Sequence, residues 1–332
     1  KRMKVLVFSA KAYEKSYFTA ANQEQHQLDF IEAQLDESTA ALASGYDAVC
    51  VFVNDKLDKS TLNTLAANHI KLIALRCAGF NNLDQAHAKK LGIAVVYVPK
   101  YSPYAVAEHA LCLILALNRK IHRAYNRVRE YDFSLHGLMG FDLNGKTVGV
   151  VGTGAIGSIF ASNMIGLNCR VLASDPYQNK ALIEKGVTYV SLDELLQQSD
   201  IISLHCPLTS DSKHLINDTS LAKMKKGVML INTSRGGLLD TKAAINALKT
   251  LHLGALGLDV YEEEASLFFS DKSDQIVTDD LIARLLTFPN VVLTGHQAYF
   301  TQEAMQNIAE TTIQNITTIE QGFQSVNLIP SD

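Results

Sequence analysis

The stretch from Lys146 to Gly157, KTVGVVGTGAIG, constrains the fold of this chain more than any other. An apolar run, Thr147–Val151, leads into Gly-x-Gly-x-x-Gly and then into the start of a helix. A second run, Arg170–Ser174, follows and ends on Asp175. Strand, glycine turn, helix and second strand closed by an acid form the dinucleotide-binding fingerprint in its full setting. Gly152 permits the tight turn, Gly154 lets the backbone approach a pyrophosphate, and Gly157 lets the helix pack close to its strand. The helix opening at Ala155 points its free N–H groups and positive dipole end at the phosphates. Asp175 suits the two ribose hydroxyls of an adenosine and repels a 2′-phosphate. No arginine follows it closely, so the cofactor reading is NAD rather than NADP.

The fingerprint lies mid-chain, so a large block of sequence precedes it and needs its own role. With 332 residues the chain has length for two domains, each with a core. A net charge of −4 gives no reason to invoke nucleic acid or an acidic membrane surface. The longest apolar run, Ala110 to Leu117, is too short to span a bilayer. Lys4-Val5-Leu6-Val7-Phe8 reads as a first strand rather than a signal peptide. The cysteines, Cys50, Cys77, Cys112, Cys169 and Cys206, are odd in number and widely spaced. That predicts reduced thiols in a cytoplasmic protein, and the absence of ligand spacing predicts no metal.

Strands are expected at Val5–Ser9, Gln27–Ile31, Ala48–Val53, Leu72–Cys77 and Ala94–Val98, with helices at Lys59–Asn68 and Leu83–Leu91 between them. Ser102 then caps a helix with Pro103 at its first position. Val106, Ala110, Leu113, Leu117, Ile121, Ala124 and Val128 recur every three or four residues, which predicts one long helix to Arg129. Arg119, Arg123 and Arg127 make a basic stripe on it, read as a solvated or subunit-facing row rather than a polyanion site. From Lys146 the alternation resumes, with strands at Thr147–Val151, Arg170–Ser174, Ile201–His205, Val228–Thr233, Ala255–Val260 and Val291–Thr294. A last helix opens at Thr301 and is expected to return to the first domain. The fold class is α/β, with a doubly wound parallel-sheet dinucleotide domain (residues 101–299) inserted in a flavodoxin-like substrate domain (1–100 plus 300–332).

In open α/β sheets ligands bind beyond the carboxyl ends of the strands. Three segments meet that rule. One strand ends in Thr233-Ser234-Arg235-Gly236-Gly237, the next in Asp259 shortly before Glu262, Glu263 and Glu264, and the last in Gly295-His296. An arginine, carboxylates and a histidine near a dinucleotide suit hydride transfer to a carbonyl. Arg235 can grip a carboxylate and polarise a ketone oxygen. His296 can donate a proton to that oxygen, and a carboxylate on its other nitrogen would orient it. The residues alone barely separate the three glutamates. They also leave open Arg235 as a phosphate ligand and His296 as a satisfied core histidine. His109 and His205 read as structural or cofactor-adjacent.

At these residues the chain resembles the D-isomer-specific 2-hydroxyacid dehydrogenases, and within them closely the bacterial NAD-dependent D-lactate type. The resemblance rests on RCAGFNN (Arg76–Asn82), YSPYAVAEHA (Tyr101–Ala110), VGTGAIG, DPY (Asp175–Tyr177), HCPLT (His205–Thr209), INTSRGG (Ile231–Gly237), LDVYE (Leu258–Glu262) and TGHQAY (Thr294–Tyr299). It implies Arg235 as the substrate-binding residue, His296 as the acid/base and Glu264 as its partner. It implies backbone N–H groups around Ala78 and Gly79 on the substrate carboxylate, and Tyr101 and Tyr299 shaping the pocket. Ala155, Ile156, Asp175, Cys206, Pro207, Ser212, Thr233, Ser234, Arg235 and Asp259 would join Gly152, Gly154 and Gly157 in lining NAD. The segment Cys77-Ala78-Gly79-Phe80 departs from the more glycine-rich form of many relatives, and Ser212 stands where some have Asn. The implied activity is reversible reduction of pyruvate to D-lactate by a dimer or tetramer. The rivals are a larger 2-keto acid and an NAD-sensing binding protein without turnover.

Overall fold

The two inner strands Ala48–Val51 and Leu72–Leu75 of the first sheet are buried along their whole length, as a strand covered by helices on each side must be. A computed structural model describes residues 2–330. Its first elements are β1 (Lys4–Val7), α1 (Ala12–Asn22), β2 (Gln27–Phe30), β3 (Ala48–Val51), α2 (Lys59–Ala67), β4 (Leu72–Leu75), α3 (Gln85–Lys90) and β5 (Ala94–Val96). The five strands are parallel in the order β2-β1-β3-β4-β5, the flavodoxin-like order. Leu6, Phe8, Val49, Val51, Ile73 and Leu75 close a core against Leu62 and Leu65 of α2. Asp58 and Asp84 cap α2 and α3 by accepting from Thr61 and His87 N–H.

The chain then leaves this unit. Residues up to Ser102 together with those from Phe300 onward form one compact unit, and Pro103–Tyr299 form the other. The second unit opens with α4 (Pro103–Arg119) and α5 (Ile121–Arg129). These replace the single helix that the periodicity predicts. Lys120 stands between them in the left-handed region, at φ 50° and ψ 39°. Val106, Ala110, Leu113 and Leu117 are buried in α4, whereas α5 buries nothing, and Ile121 and Val128 are 61% and 46% exposed. The spacing of apolar residues runs on past Arg119, but the surface that α4 covers does not. Periodicity records a stripe, not whether the chain itself supplies its partner.

Next come β6 (Thr147–Val151), α6 (Ala155–Gly166), β7 (Arg170–Ser174), α7 (Lys180–Glu184), β8 (Thr188–Tyr189), α8 (Leu192–Gln198), β9 (Ile201–Leu204), α9 (Asp218–Lys223), β10 (Val228–Asn232), α10 (Thr241–Lys249), β11 (Leu253–Leu258), α11 (Asp280–Leu286) and β12 (Val291–Leu293). The seven strands are parallel in the order β12-β11-β10-β9-β6-β7-β8, with the reversal between β9 and β7 around β6. That is the doubly wound dinucleotide topology with one further strand. Alternate residues face opposite layers. Val148, Val150 and Ile231 pack with α4 and α6, while Ile202, Leu204, Leu230 and Leu256 pack with α8 and α10. After Tyr299 the chain rejoins the first unit through α12 (Gln302–Glu320), whose buried Met305, Ile308, Ile313 and Ile316 face α1 and β4. Among the described residues no helix is long and apolar enough to cross a membrane.

Candidate functional site

The turn after β6 is shaped by how little room its glycines have. Gly152 sits at φ 91°, and a Cβ there would lie 2.7 Å from the His205 carbonyl oxygen. At Gly157 a Cβ would lie 2.0 Å from the Gly152 carbonyl oxygen, so α6 meets the turn with no space for a methyl. Gly154 faces open space, and no side chain caps α6 at that residue. The first turn at Ala155 and Ile156, exposed and half-buried, therefore opens onto a surface where an anion can approach. Asp175, at the end of β7, is held in place by its own turn. Oδ2 accepts from Thr153 N–H at 2.7 Å and Oδ1 from Tyr177 N–H at 2.7 Å.

The loop after β9 runs below the glycines. The half-buried His205 packs against Phe160, with ring centroids 4.8 Å apart, and its Nε2 lies 2.8 Å from the Ser203 hydroxyl. Burial pushes its pKa down to about 3, so it is a neutral structural ring. Burial also pushes the Cys206 thiol up, away from nucleophilic use. The Cys206 carbonyl accepts from the Ser234 hydroxyl at 2.7 Å, which ties this loop to the next. Ser212 donates to the Pro207 carbonyl at 2.7 Å and accepts from Thr209 N–H at 2.8 Å.

The loop after β10 carries Thr233, whose hydroxyl is buried without a hydrogen-bond partner among the described residues. A buried orphan at the carboxyl end of a strand is a place where a ligand can complete the bonding. Asn232 steadies the following turn by accepting from Ser234 N–H at 3.0 Å and donating to the Arg235 carbonyl at 2.9 Å. The half-buried Arg235 guanidinium donates to the Ser234 carbonyl at 2.9 Å through one nitrogen.

The loops after β11 and β12 meet at a histidine–carboxylate pair. His296 Nδ1 lies 2.7 Å from Glu264 Oε1, with both side chains about a quarter exposed. Glu264 Oε2 accepts from Tyr261 N–H at 3.0 Å. Of the three candidate glutamates, Glu264 alone faces His296. Glu262 bonds His214 and Thr241 instead, and Glu263 is exposed. His296 itself stands at φ 56°, a strained position for a side chain of its size. Fully buried Asp259 holds it there. Its carbonyl accepts from His296 N–H at 2.8 Å, and its carboxylate accepts from Gln297 and Ala298 N–H at 2.8 and 2.9 Å and from the Thr294 hydroxyl at 2.6 Å. His109 Nε2 stands 3.1 Å from that hydroxyl, and burial lowers its pKa. Phe269 lies 5.5 Å from the His296 ring and Tyr299 lies 6.4 Å away, edge-on. Phe269 was not among the expected site residues. It sits in an aperiodic loop, where an aromatic carries no pattern to mark it.

The remaining expected residues belong to the first unit, Ala78 and Gly79 after β4 and Tyr101 after β5. Arg76 is buried and donates to Glu14 at 2.9 Å, which roots the loop that follows. Cys77 donates through Sγ to the Gly79 carbonyl at 3.2 Å, and Ala78 and Gly79 are half-buried. Tyr101 gives its carbonyl to Asn307. Among the described residues no three of His, Cys, Asp or Glu form a metal-binding group.

Residues 111–298 match the family described as D-isomer specific 2-hydroxyacid dehydrogenase, NAD binding domain. The chain is 50% identical over 321 residues to D-lactate dehydrogenase of Escherichia coli, covering 96% of this chain and 98% of that protein. It is similar to a solved structure of the pyruvate reductase of Chlamydomonas reinhardtii, with a TM-score of 0.95 and 47% identity over 98% of each chain. It is also similar to D-lactate dehydrogenase of Aquifex aeolicus solved with NAD and lactic acid, with a TM-score of 0.86 and 35% identity over 98% of this chain and 100% of that one.

Proposed function

The chain belongs to the D-isomer specific 2-hydroxyacid dehydrogenases, and from that premise we propose that it is an NAD-dependent D-lactate dehydrogenase, reversibly reducing pyruvate to D-lactate. The observation that carries the reading is the 2.7 Å pair of His296 and Glu264 at the strand ends of a dinucleotide fold. With Nδ1 tied to the carboxylate, Nε2 is the nitrogen left to give a proton to the ketone oxygen and to take it back from the alcohol. Arg235 offers a planar fork to the substrate carboxylate and carbonyl. The resemblance further assigns backbone N–H groups of Ala78 and Gly79 to carboxylate binding and Tyr101 and Tyr299 to the shaping of the pocket. On this reading the second unit binds the cofactor and also carries Arg235 and His296 for the substrate.

The residues present fit NAD. The uncapped start of α6, the open space at Gly154 and the orphaned Thr233 hydroxyl are each completed by a dinucleotide. Gly152, Gly154, Ala155, Ile156 and Gly157 would hold its pyrophosphate and Asp175 its adenosine ribose. Cys206, Pro207, Ser212, Thr233, Ser234 and Arg235 would line its other half. Asp259, expected to line NAD with them, is fully buried with its carboxylate spent on Thr294, Gln297 and Ala298, and so anchors the turn instead. When bound, NAD supplies or accepts the hydride. All five cysteines are free, which supports a reducing, cytoplasmic setting. The apolar surface of α5 and the segment after it supports association of two or four copies.

The test is initial rates of NADH oxidation with 2-keto acids of increasing side-chain size, with chiral analysis of the product. The expected result is highest kcat/KM for pyruvate and D-lactate as product. Preference for a branched or aromatic acid reassigns the substrate. NADH binding without turnover of any keto acid overturns the enzyme reading.

A further inference from the structure

A second imidazole–carboxylate pair lies behind the first. His214 Nε2 faces Glu262 Oε1, and Glu262 Oε2 accepts from the Thr241 hydroxyl at 2.7 Å and from Thr241 N–H at 3.3 Å. Three loops meet there. His214 follows the segment Cys206–Ser212, Thr241 opens α10 behind the Arg235 turn, and Glu262 stands two residues before Glu264. The His214 backbone joins in, because its N–H donates to the Gly237 carbonyl at 2.8 Å and its carbonyl accepts from Asn217 Nδ2 at 2.9 Å. His214 takes a left-handed φ of 51° to make these bonds. The Arg235–Gly236 turn lies flush on the same place, since a Cβ on Gly236 would be 2.2 Å from the Tyr261 carbonyl carbon and 2.5 Å from Glu262 N. Glu262 and Glu264 thus leave one short segment in two directions, one to the cofactor loop and one to His296. Tyr261 N–H on Glu264 Oε2 makes that segment part of the carboxylate's own support.

We propose that His214 and Glu262 are positioning residues for the dehydrogenase reaction, coupling the loop that seats the dinucleotide to the carboxylate that orients His296. This rests on the proposed function. Neither group is assigned a contact with substrate. A shift of about 1 Å in a reacting group is enough to lower a rate on the order of a hundredfold, so loosening the segment acts on turnover.

The experiment is a double-mutant cycle on the full chain with NADH and pyruvate. It uses His214→Ala, Glu262→Ala, the pair, and the conservative His214→Gln, which keeps a donor for Glu262. Each single alanine variant is expected to lower kcat on the order of tenfold and to raise the KM for NADH. The pyruvate KM should change by less than about twofold, and the primary isotope effect with 4-deuterated NADH should rise. The double variant should be no worse than the worse single one, and His214→Gln should recover most of the loss. If His214→Ala does not fold, His214→Phe fills the same space without the bond and is read in its place. Unchanged constants in folded variants, additive losses in the double variant, or no recovery with Gln overturn the proposal. An inactive wild-type chain overturns the function beneath it, and that result is separate from all of these.

Discussion

Gly154 and Gly157 are three residues apart and answer to different demands. A methyl at Gly157 has a carbonyl oxygen 2.0 Å away, while a methyl at Gly154 meets nothing within 4 Å. Gly157→Ala should therefore destabilise the fold by about 1–3 kcal/mol through overpacking, read as a lower urea midpoint. Gly154→Ala should leave that midpoint unchanged and weaken NADH binding, read by fluorescence titration. Equal loss of stability in both variants would contradict this. At Arg235 the demand is shape as well as charge. Arg235→Lys keeps the charge but not the fork, so the pyruvate KM should rise on the order of tenfold or more, and an unchanged KM would remove Arg235 from the substrate. His205 makes a prediction about stability. The folded chain takes up its proton only near pH 3, whereas an unfolded histidine takes it up near 6.5. Between these values the unfolded state binds more protons. The stability that neutral His205 contributes is complete above about pH 6.5 and is lost as pH falls, by up to about 1.4 kcal/mol per unit. Urea unfolding of wild type and His205→Asn across pH 7 to 4 should show a shallower pH slope in the variant. The glycine turn and the acid at the end of β7 were legible as placements because each is a local pattern at a fixed spacing. Glu264 was not separable from Glu262 and Glu263 by local pattern, because what distinguishes them is a turn that sends one side chain to His296 and another to His214.

Elements were legible where the local pattern and the tertiary partner agree. The expected strands are all present in the two sheets, whereas β8 (Thr188–Tyr189), only two residues long and with no apolar run to mark it, was not expected. α1 went unread because its buried face includes a charge. Glu14 is 6% exposed and serves Arg76, whereas a pattern reading puts glutamate outside. Short α11 was also passed over, although Asp279 caps it by accepting from Leu281 and Ile282 N–H. The division of α4 from α5 depends on one residue, Lys120, whose left-handed backbone costs about 1–2 kcal/mol for an L side chain. Its ammonium donates to the Met139 carbonyl at 2.5 Å, and Asn118 brackets Phe141 with bonds of 2.7 and 2.8 Å. These bonds draw the segment after α5 back to the end of α4 and hold the break. Lys120→Gly should change stability by less than about 1 kcal/mol, as relief of strain offsets the lost bond, and Lys120→Val should destabilise by more. Similar losses in thermal unfolding for both would show that the break is held by something other than its backbone.

The second unit carries an apolar surface that its own core does not use. Along α5 and the segment after it, Tyr125, Tyr131, Phe133, Leu135 and Met139 are 58 to 89% exposed. The association proposed above would use this patch, because a twofold axis through it would cover the patches of two copies at once. Burying two large apolar side chains per copy contributes several kcal/mol to association. Sedimentation of the wild-type chain at micromolar concentration should give a mass near a multiple of 36.4 kDa, and the Tyr131→Ser, Leu135→Ser double variant should weaken association on the order of a hundredfold or more. The substitutions lie outside the core clusters, so the monomer should keep its thermal midpoint at concentrations where it is already dissociated. A wild-type chain that sediments as one copy at every concentration would refute the association. A double variant that stays associated would move the interface to another face. Activity measured on both forms then separates the two uses of this unit, since the His296–Glu264 pair lies wholly within one chain and has no need of a neighbour to form.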